Sequence, residues 1–367
     1  MFAPLVAALM SFDNFAGATE SSLKEGYRKI AMHTRSLLMF VAIPAALLLL
    51  VGCAGKPLSS DERNRLAGKT FVVTGASSGI GRGVALELGR SGANVVVAAR
   101  RTRALENLAR EIVVAGGTPL VVTADVSSAS DMRRLRHSAL ERFGRIDGWI
   151  NNAAVMATGL FEDIPLEDHQ RLLDVNLKGT LIGSHLAMQQ FRSQEYGVLI
   201  NVASIDSEVP HTYQASYSAS KAGVLSLGRV LNQELRLDDQ RNISVVTVMP
   251  WAIDTPLWDH AANYTGHQAQ LPTLDGPEKP VNVIVRAAMY PRPEITVGYK
   301  AKLAYWGHRL APGLSDVFSR HAVQKGQVDT NPATQTTPGN LHTPVAQGQG
   351  VSGGIRERMQ RQQDAAQ

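Results

Sequence analysis

The 367-residue sequence contains a single cysteine, Cys53. One cysteine excludes an internal disulfide framework and a metal site of the Cys-x-x-Cys type. Aromatic residues are also scarce, at 6% of the chain, and charged residues make up 19%. That charged share excludes a polytopic membrane protein, whereas a hydrophobic share of 44% excludes a wholly disordered chain. The length suits one large domain with extensions, or two modest domains.

Blocks rich in lysine or arginine are missing as well, although the formal net charge is +5. A basic balance without such blocks does not favour nucleic acid binding, so we expect no nucleic acid partner. The ten histidines show no spacing typical of metal ligands. We therefore expect no metal site either.

An apolar run long enough for an ordinary membrane-spanning helix, about 20 residues, is also missing near the N-terminus. A shorter run covers residues 37–52, with Arg35 before it, and this arrangement is typical of a signal peptide. The run ends Leu50-Val51-Gly52-Cys53, which resembles the lipobox of bacterial lipoproteins and implies lipidation at Cys53. An uncleaved anchor helix and a buried core helix are the alternatives.

Residues 1–31 exceed the length of an ordinary n-region, and we interpret them as an extension upstream of a true start at Met32. Residues 32–53 are then a signal peptide or anchor, and residues 54–67 a linker. These features predict a bacterial protein associated with the membrane through its N-terminal segment. Basic residues before the apolar run favour export of the following domain, but the side of the membrane stays open.

Residues 68–300 alternate short apolar runs with helical periodicity. The runs are Phe71-Val72-Val73, Val95-Val96-Val97, Leu120-Val121-Val122, Trp149-Ile150, Val198-Leu199-Ile200 and Val245-Val246-Thr247-Val248. Nearly continuous valine and isoleucine favour strands buried on both faces of a parallel sheet. Strands that alternate with helices predict an α/β fold with a doubly wound parallel sheet of the Rossmann type, in one catalytic domain.

Two C-terminal segments differ in composition from this domain. Residues 301–324 contain spaced apolar side chains broken by Pro312, and they predict a helical appendage. This appendage either packs as an ordinary helix or contacts a membrane or a partner. Residues 325–367 are rich in Gln, Thr, Pro, Gly and Ala, with almost no large apolar residue, so they are predicted to be disordered.

A glycine-rich loop follows the first predicted strand, with the sequence Thr74-Gly75-Ala76-Ser77-Ser78-Gly79-Ile80-Gly81. Glycines permit a tight strand-to-helix turn and a close approach of backbone to a pyrophosphate, and the helix N-terminus supplies free N–H groups. The position between a strand and a helix favours a dinucleotide site. The spacing G-x-x-x-G-x-G resembles the loop of the short-chain dehydrogenase/reductase family.

The second predicted strand ends Ala98-Ala99-Arg100-Arg101. An acidic residue at this point would hold the ribose 2′-hydroxyl of NAD. A guanidinium instead pairs with a 2′-phosphate in a forked geometry. We therefore expect NADP(H) rather than NAD(H), the alternative being that Arg100 and Arg101 cap a helix or lie in solvent.

Further motifs in the same order strengthen the resemblance. Tyr217 and Lys221 form a Y-x-x-x-K pair, and residues four apart share one side of a helix. A neighbouring ammonium lowers the pKa of a phenol, which is ordinarily near 10. The resemblance implies Tyr217 as the acid/base and a hydrogen bond from Ser204 to the substrate oxygen. It also implies that Asn176 holds a water linked to Lys221.

The resemblance also implies a cofactor-binding set. Its members are Gly75, Ser77, Ser78, Gly79, Ile80, Gly81, Arg100, Arg101, Asp125, Val126, Asn152, Ala153, Tyr217, Lys221, Pro250 and Thr255. Asp125 would contact the adenine, and Thr255 the nicotinamide carboxamide. Two departures concern Ala154 and Trp251, which stand where the family has glycine, so the pocket shape does not transfer from relatives.

The sequence thus predicts an NAD(P)(H)-dependent oxidoreductase, with NADP(H) favoured, that interconverts a small-molecule carbonyl and an alcohol. Trp258 and Tyr264, beyond Thr255, weakly favour an apolar substrate. Asp206 and His211 line the substrate pocket or are ordinary loop residues. The family implies a homo-oligomer. A non-catalytic NADP(H)-binding sensor or scaffold at a membrane is the alternative function.

Overall fold

The computed structural model describes residues 55–268, 273–329 and 331–365. The predicted N-terminal extension (1–31), the signal peptide or anchor (32–53) and the lipidation site Cys53 lie outside the described residues. In the part of the chain that is described, no helix has both the length and the apolar character that crossing a membrane requires.

The strands are β1 (Thr70–Thr74), β2 (Asn94–Ala99), β3 (Thr118–Thr123), β4 (Gly148–Asn151), β5 (Ala157–Thr158), β6 (Gly197–Val202), β7 (Ile243–Pro250), β8 (Ala262–Asn263) and β9 (Glu294–Val297). Seven of them form one parallel sheet in the order β3-β2-β1-β4-β6-β7-β9, and β5 pairs with β8 separately. This arrangement confirms the predicted doubly wound parallel sheet.

The central strands are apolar throughout because both faces of the sheet are covered. Val72 of β1 lies opposite Val96 of β2 and Trp149 of β4. It belongs to one apolar cluster, whereas its chain neighbours Phe71 and Val73 belong to the cluster on the other face. Each strand therefore contributes alternate residues to two cores.

Strand β9 was not among the predicted strands. It lies at the edge of the sheet beside β7, and only Val297 of its four residues is buried. A short, half-exposed edge strand has no continuous apolar run, so the pattern that predicted the other six strands did not apply to it.

Helices cover both faces of the sheet. They span Ser60–Asn64, Gly79–Arg90, Thr102–Val114, Ala129–Phe143, Leu166–Leu173, Gly179–Gln194, Ala215–Leu237, Leu257–His260, Glu278–Ala287, Gly298–Leu310, Pro312–Gln324 and Ile355–Ala365. The strand order reverses between β1 and β4, and ligands of such sheets bind at the carboxyl ends of the strands at that point. The glycine-rich loop begins there.

The segment interpreted as a linker, residues 54–67, contains the short helix Ser60–Asn64. Ser59 and Glu62 form a reciprocal capping box at its start, with the Ser59 hydroxyl accepting from the Glu62 amide. Leu58 and Leu66 are buried on either side of it. These two side chains fix the segment to the domain.

The C-terminal segment also differs from its predicted disorder. Leu341 and Ile355 are both 0% exposed. Much of the remaining contact is made by backbone: a Cβ on Gly339 would lie 2.4 Å from the carbonyl oxygen of His260, and one on Gly353 would lie 2.7 Å from the carbonyl carbon of Thr255. Glycine permits that close packing, so a composition typical of disorder here accompanies an ordered path.

Candidate active site

The glycine-rich loop forms the floor of a groove at the carboxyl ends of β1 and β4. Gly75 has a φ of 65°, and a Cβ on it would lie 2.6 Å from the Cα of Ala153. A Cβ on Gly81 would lie 2.4 Å from the Asn152 amide nitrogen and 2.5 Å from the Gly75 carbonyl oxygen. The loop therefore has this shape only with glycine at both positions, which fits the bare backbone that a pyrophosphate needs.

Hydrogen bonds hold the loop against the end of β4. The Thr74 hydroxyl oxygen accepts from the backbone amides of Asn152 and Ala153 at 3.0 and 3.2 Å. The Asn152 side-chain amide donates to the Thr74 carbonyl oxygen at 3.0 Å. These bonds make the loop and the predicted Asn152-Ala153 segment one unit.

Arg100 and Arg101 lie at the edge of this groove, and both are partly buried. Arg101 donates to the hydroxyl oxygens of Ser77, at 3.0 and 3.1 Å, and Ser78, at 2.7 Å. Burial lowers the pKa of Arg101, and repulsion from Arg100 and Arg82 lowers it further. The two guanidinium groups therefore concentrate positive charge at this edge of the groove.

Asp125 follows β3 and lines the same cavity, where its negative charge acts on Arg100. Its Oδ2 accepts from Arg171 at 2.5 Å, and its Oδ1 accepts from the Ser127 hydroxyl at 2.7 Å. Burial alone would raise the pKa of Asp125, but the hydrogen bonds from Ser127 and Arg171 outweigh burial and hold that pKa below its usual range. Asp125 is therefore an ionised acceptor, and its contact with adenine stays a prediction.

The residues expected to be catalytic converge on the helix Ala215–Leu237 and the end of β6. Tyr217 is 8% exposed and Lys221 is 2% exposed. The Lys221 ammonium lies 5.6 Å from the centre of the Tyr217 ring and donates to the Val202 carbonyl oxygen at 2.9 Å. The Ser204 hydroxyl oxygen accepts from the Asp206 amide at 3.2 Å and its side chain hydrogen-bonds Tyr217.

Asn176 lies behind this centre, in a π-helical turn at Asp174–Lys178. Such turns are frequent at functional sites because the extra residue redirects side chains. Its Oδ1 accepts from the Val155 amide at 2.9 Å, and its Nδ2 donates to the Val155 carbonyl oxygen at 2.9 Å and to the Ser220 hydroxyl at 3.2 Å. The structure thus places Asn176 beside the helix Ala215–Leu237, and its link to Lys221 through water stays a prediction.

Burial dominates the electrostatics of the catalytic pair. Burial lowers the pKa of Lys221 to about 8, partly offset by the negative charge of Asp206. Burial, and then Asp206, raise the pKa of Tyr217 above its ordinary value, while the hydrogen bond with Ser204 lowers it. The Tyr217 hydroxyl is therefore protonated in this arrangement and can donate a proton.

Asp206 and His211, left open by the sequence, form an ion pair at 2.8 Å in the lining of the same cavity. Burial opposes protonation of His211, but the charge and hydrogen bond of Asp206 raise its pKa overall. The His211 ring lies edge-on to Trp251, with 6.5 Å between centroids. The sequence signals for this pair were the nearness of Asp206 to Ser204 and of His211 to Tyr217 along the chain.

One cavity of about 1060 Å³ connects the glycine-rich loop with the residues expected to be catalytic. The predicted cofactor residues that line it are Gly75, Ser77, Ser78, Gly79, Ile80, Arg100, Arg101, Asp125, Val126, Asn152, Ala153, Tyr217, Lys221, Pro250 and Thr255. Gly81 instead lies beneath the loop. The predicted helical appendage supplies apolar wall residues, among them Leu303, Leu310 and Leu314.

Comparison with known proteins matches residues 69–264 to the family model described as short chain dehydrogenase. The chain is 34% identical over 255 residues to the uncharacterized oxidoreductase YxnA of Bacillus subtilis. The aligned residues cover 69% of this chain and 71% of the relative. It is 38% identical over 197 residues to 3beta-hydroxysteroid dehydrogenase 1 of Eggerthella lenta, covering 52% of this chain and 73% of the relative.

A further relative is the 3-oxoacyl-[acyl-carrier-protein] reductase of Synechocystis sp. It is 34% identical over 196 residues, covering 53% of this chain and 78% of the relative. The region matched by the family model contains both the glycine-rich loop and the Tyr217–Lys221 pair. The two motifs that carried the resemblance in the sequence therefore lie within the matched region.

Proposed function

Because the chain belongs to the short-chain dehydrogenase family, an oxidoreductase family that uses nicotinamide cofactors, we propose that it interconverts a carbonyl and an alcohol with NADP(H). One observation carries this proposal: Ser204, Tyr217 and Lys221 meet at one end of a cavity whose other end is the glycine-rich loop. Simple nucleotide binding, as in a sensor or scaffold, does not require that catalytic end.

The bound nicotinamide supplies the hydride chemistry. In the direction of reduction, the Tyr217 hydroxyl donates its proton to the carbonyl oxygen of the substrate. The Ser204 hydroxyl donates a hydrogen bond to the same oxygen while negative charge develops there. The Lys221 ammonium, 5.6 Å from the ring, stabilises the phenolate that Tyr217 leaves behind.

The preference for NADP(H) is proposed from the two arginines at the end of β2. Arg100 and Arg101 carry forked donors to the edge of the groove, where repulsion within a cluster of guanidinium groups lowers their pKa values further after burial has done so. A 2′-phosphate would offset that positive charge, whereas an unmodified ribose would not.

The substrate is proposed to be a small, apolar carbonyl compound or alcohol. Apolar side chains of the helices Gly298–Leu310 and Pro312–Gln324 line the outer wall of the cavity, together with Trp258. The Asp206–His211 pair adds one polar position near Ser204. Membrane attachment through residues 32–53 and homo-oligomer formation stay predictions from the sequence.

The test measures NADPH consumption across aldehydes and ketones of increasing chain length, for the wild-type chain and Tyr217→Phe. We expect turnover by the wild-type chain. The variant should lose roughly 10²–10⁴-fold in kcat, because it lacks the proton donor, but should still bind NADPH. Equal turnover by both chains would refute the role of Tyr217, and binding without any consumption would favour the sensor or scaffold.

A further inference from the structure

Residues 339–354, here called the C-terminal strap, cross the groove that contains the glycine-rich loop. Leu341 anchors the start of the strap in the apolar cluster that also contains Tyr217. Ile355 anchors the end, where its amide donates to Asp254 Oδ1 at 3.1 Å. The backbone between these two anchors contacts the groups proposed to bind the cofactor.

Arg100 is bonded to three carbonyl groups of the strap. Its Nη1 donates to the carbonyl oxygens of Leu341 and His342, at 3.0 and 3.1 Å. Its Nη2 donates to the carbonyl oxygen of Asn340 at 2.6 Å. Backbone carbonyls therefore occupy the face of the guanidinium that a phosphate would use.

Arg101 is occupied in the same way. Its Nη1 donates to the carbonyl oxygens of Val345 and Gln347, both at 3.1 Å. Its other nitrogens donate to the hydroxyl oxygens of Ser77 and Ser78. A guanidinium has five N–H groups, and each nitrogen of Arg101 already has a partner.

The strap also bonds to the start of the helix Gly79–Arg90. The amide of Gly79 donates to the carbonyl oxygen of Gly350 at 2.8 Å. This amide is one of the free N–H groups that a helix N-terminus offers to a pyrophosphate. A backbone amide has a single hydrogen, so it does not serve the strap and a phosphate fully at the same time.

We propose that the C-terminal strap is an internal competitor of the cofactor. The strap must leave the two arginines and the Gly79 amide before NADP(H) binds. This inference rests on the proposed function, because it assumes that the same donors bind the nucleotide. Hydrogen bonds from guanidinium to phosphate are charge-assisted and about twice as strong as those between neutral groups. Phosphate oxygens would therefore displace the neutral carbonyl oxygens of the strap from the two guanidinium groups.

The opposite role, a cover that holds the cofactor in place, is the natural alternative because Asn340, Pro344 and Val345 line the cavity. The two roles predict opposite changes in affinity when the strap is removed. Competition is favoured here because the contacts use donors of the groove itself, rather than leaving them free beneath the strap.

The experiment measures the Kd for NADPH by fluorescence titration for the full chain and for a chain that ends at Asp329. We expect the shortened chain to bind NADPH at least about tenfold more tightly, which corresponds to 1.4 kcal/mol. The gain for NADH should be smaller, because NADH has no 2′-phosphate to occupy the freed arginines. A chain that ends at Gln360 keeps the strap and serves as the matched control.

Two further measurements keep the test decisive if shortening impairs folding. Leu341→Asp in the full chain should release the strap and also tighten NADPH binding, with folding checked by circular dichroism. Hydrogen exchange of the unaltered chain should show faster exchange of residues 339–354 when NADPH is added. Slower exchange there, or weaker or unchanged binding by a folded shortened chain, would overturn the inference. Absence of nucleotide binding by every chain would instead refute the proposed function.

Discussion

Two glycine-containing segments meet at the mouth of the cofactor groove, the loop Thr74–Gly81 and the C-terminal strap, and they differ in how the chain holds them. The loop joins a buried strand to a helix, and the close contacts of Gly75 and Gly81 are with Asn152 and Ala153, just after β4, and with the loop itself. The strap lies on the outside and is held by two apolar anchors, by side-chain donors that include Arg100 and Arg101, and by backbone hydrogen bonds. We therefore expect an added side chain to destabilise the loop, which is enclosed, more than the strap, which lies on the surface.

The largest effect is expected from a substitution that disrupts the packing of the glycine-rich loop. In Gly81→Ala the new methyl group would lie 2.5 Å from the Gly75 carbonyl oxygen, with no free space to move into. Overpacking of this kind lowers the free energy of unfolding by about 1–3 kcal/mol. Each kcal/mol lost lowers Tm by roughly 2–4 °C for a domain of this size. We also expect NADPH binding to be lost, as measured by thermal unfolding and fluorescence titration.

The matched variant is Gly353→Ala in the strap, whose methyl group would lie 2.7 Å from the carbonyl carbon of Thr255. Because the proposed competition requires the strap to leave the groove, we expect little change in Tm and no loss of NADPH binding. Equal destabilisation by the two variants would mean that the strap is as fixed as the loop.

An intermediate effect concerns the arginines that the strap and the cofactor share. In the chain that ends at Asp329, Arg101→Ala should weaken NADPH binding by roughly 10–150-fold, since a hydrogen bond to a charged group contributes about 1.5–3 kcal/mol. Binding of NADH should change little. Arg103→Ala is the control, because Arg103 is exposed on the helix Thr102–Val114 that follows Arg101. An equal loss of affinity for both nucleotides in Arg101→Ala would contradict a 2′-phosphate site.

A further effect, on pH dependence rather than on cofactor binding, is expected at Lys221, which lies away from the shared donors. Burial lowers the pKa of Lys221 to about 8, so its ammonium is progressively lost as the pH rises through that value. We expect kcat/KM for carbonyl reduction to fall by about tenfold per pH unit well above it. Lys221→Arg keeps the positive charge and should move the fall to higher pH; an unmoved profile would assign the titration to another group.

The sequence predicted the sheet well because buried parallel strands have a plain signature. Runs such as Val95-Val96-Val97 are buried on both faces, and their short length and β-branched residues favour a strand over a helix. The closeness of Tyr217 and Lys221 was predictable for another reason, since residues four apart share one side of a helix. In each case a local pattern was sufficient.

Contacts between distant parts of the chain were not predictable in this way. The Asp206–His211 ion pair depends on how a loop folds back beside Trp251. The strap depends on Leu341 reaching a core whose other buried residues all lie before Asn263, and on glycines that bring backbone close to His260 and Thr255. Composition indicates how much apolar area a segment can bury, but it does not indicate where the few apolar side chains of that segment pack.

The two anchors of the strap, Leu341 and Ile355, have a consequence for how the proposed competition would depend on conditions. A competitor that is part of the same chain does not dilute with the protein, and a short tether maintains an effective concentration on the order of millimolar. The closed fraction would then be the same in a dilute assay and in a crowded cell. Only the supply of nucleotide would set how much of the protein is open to substrate.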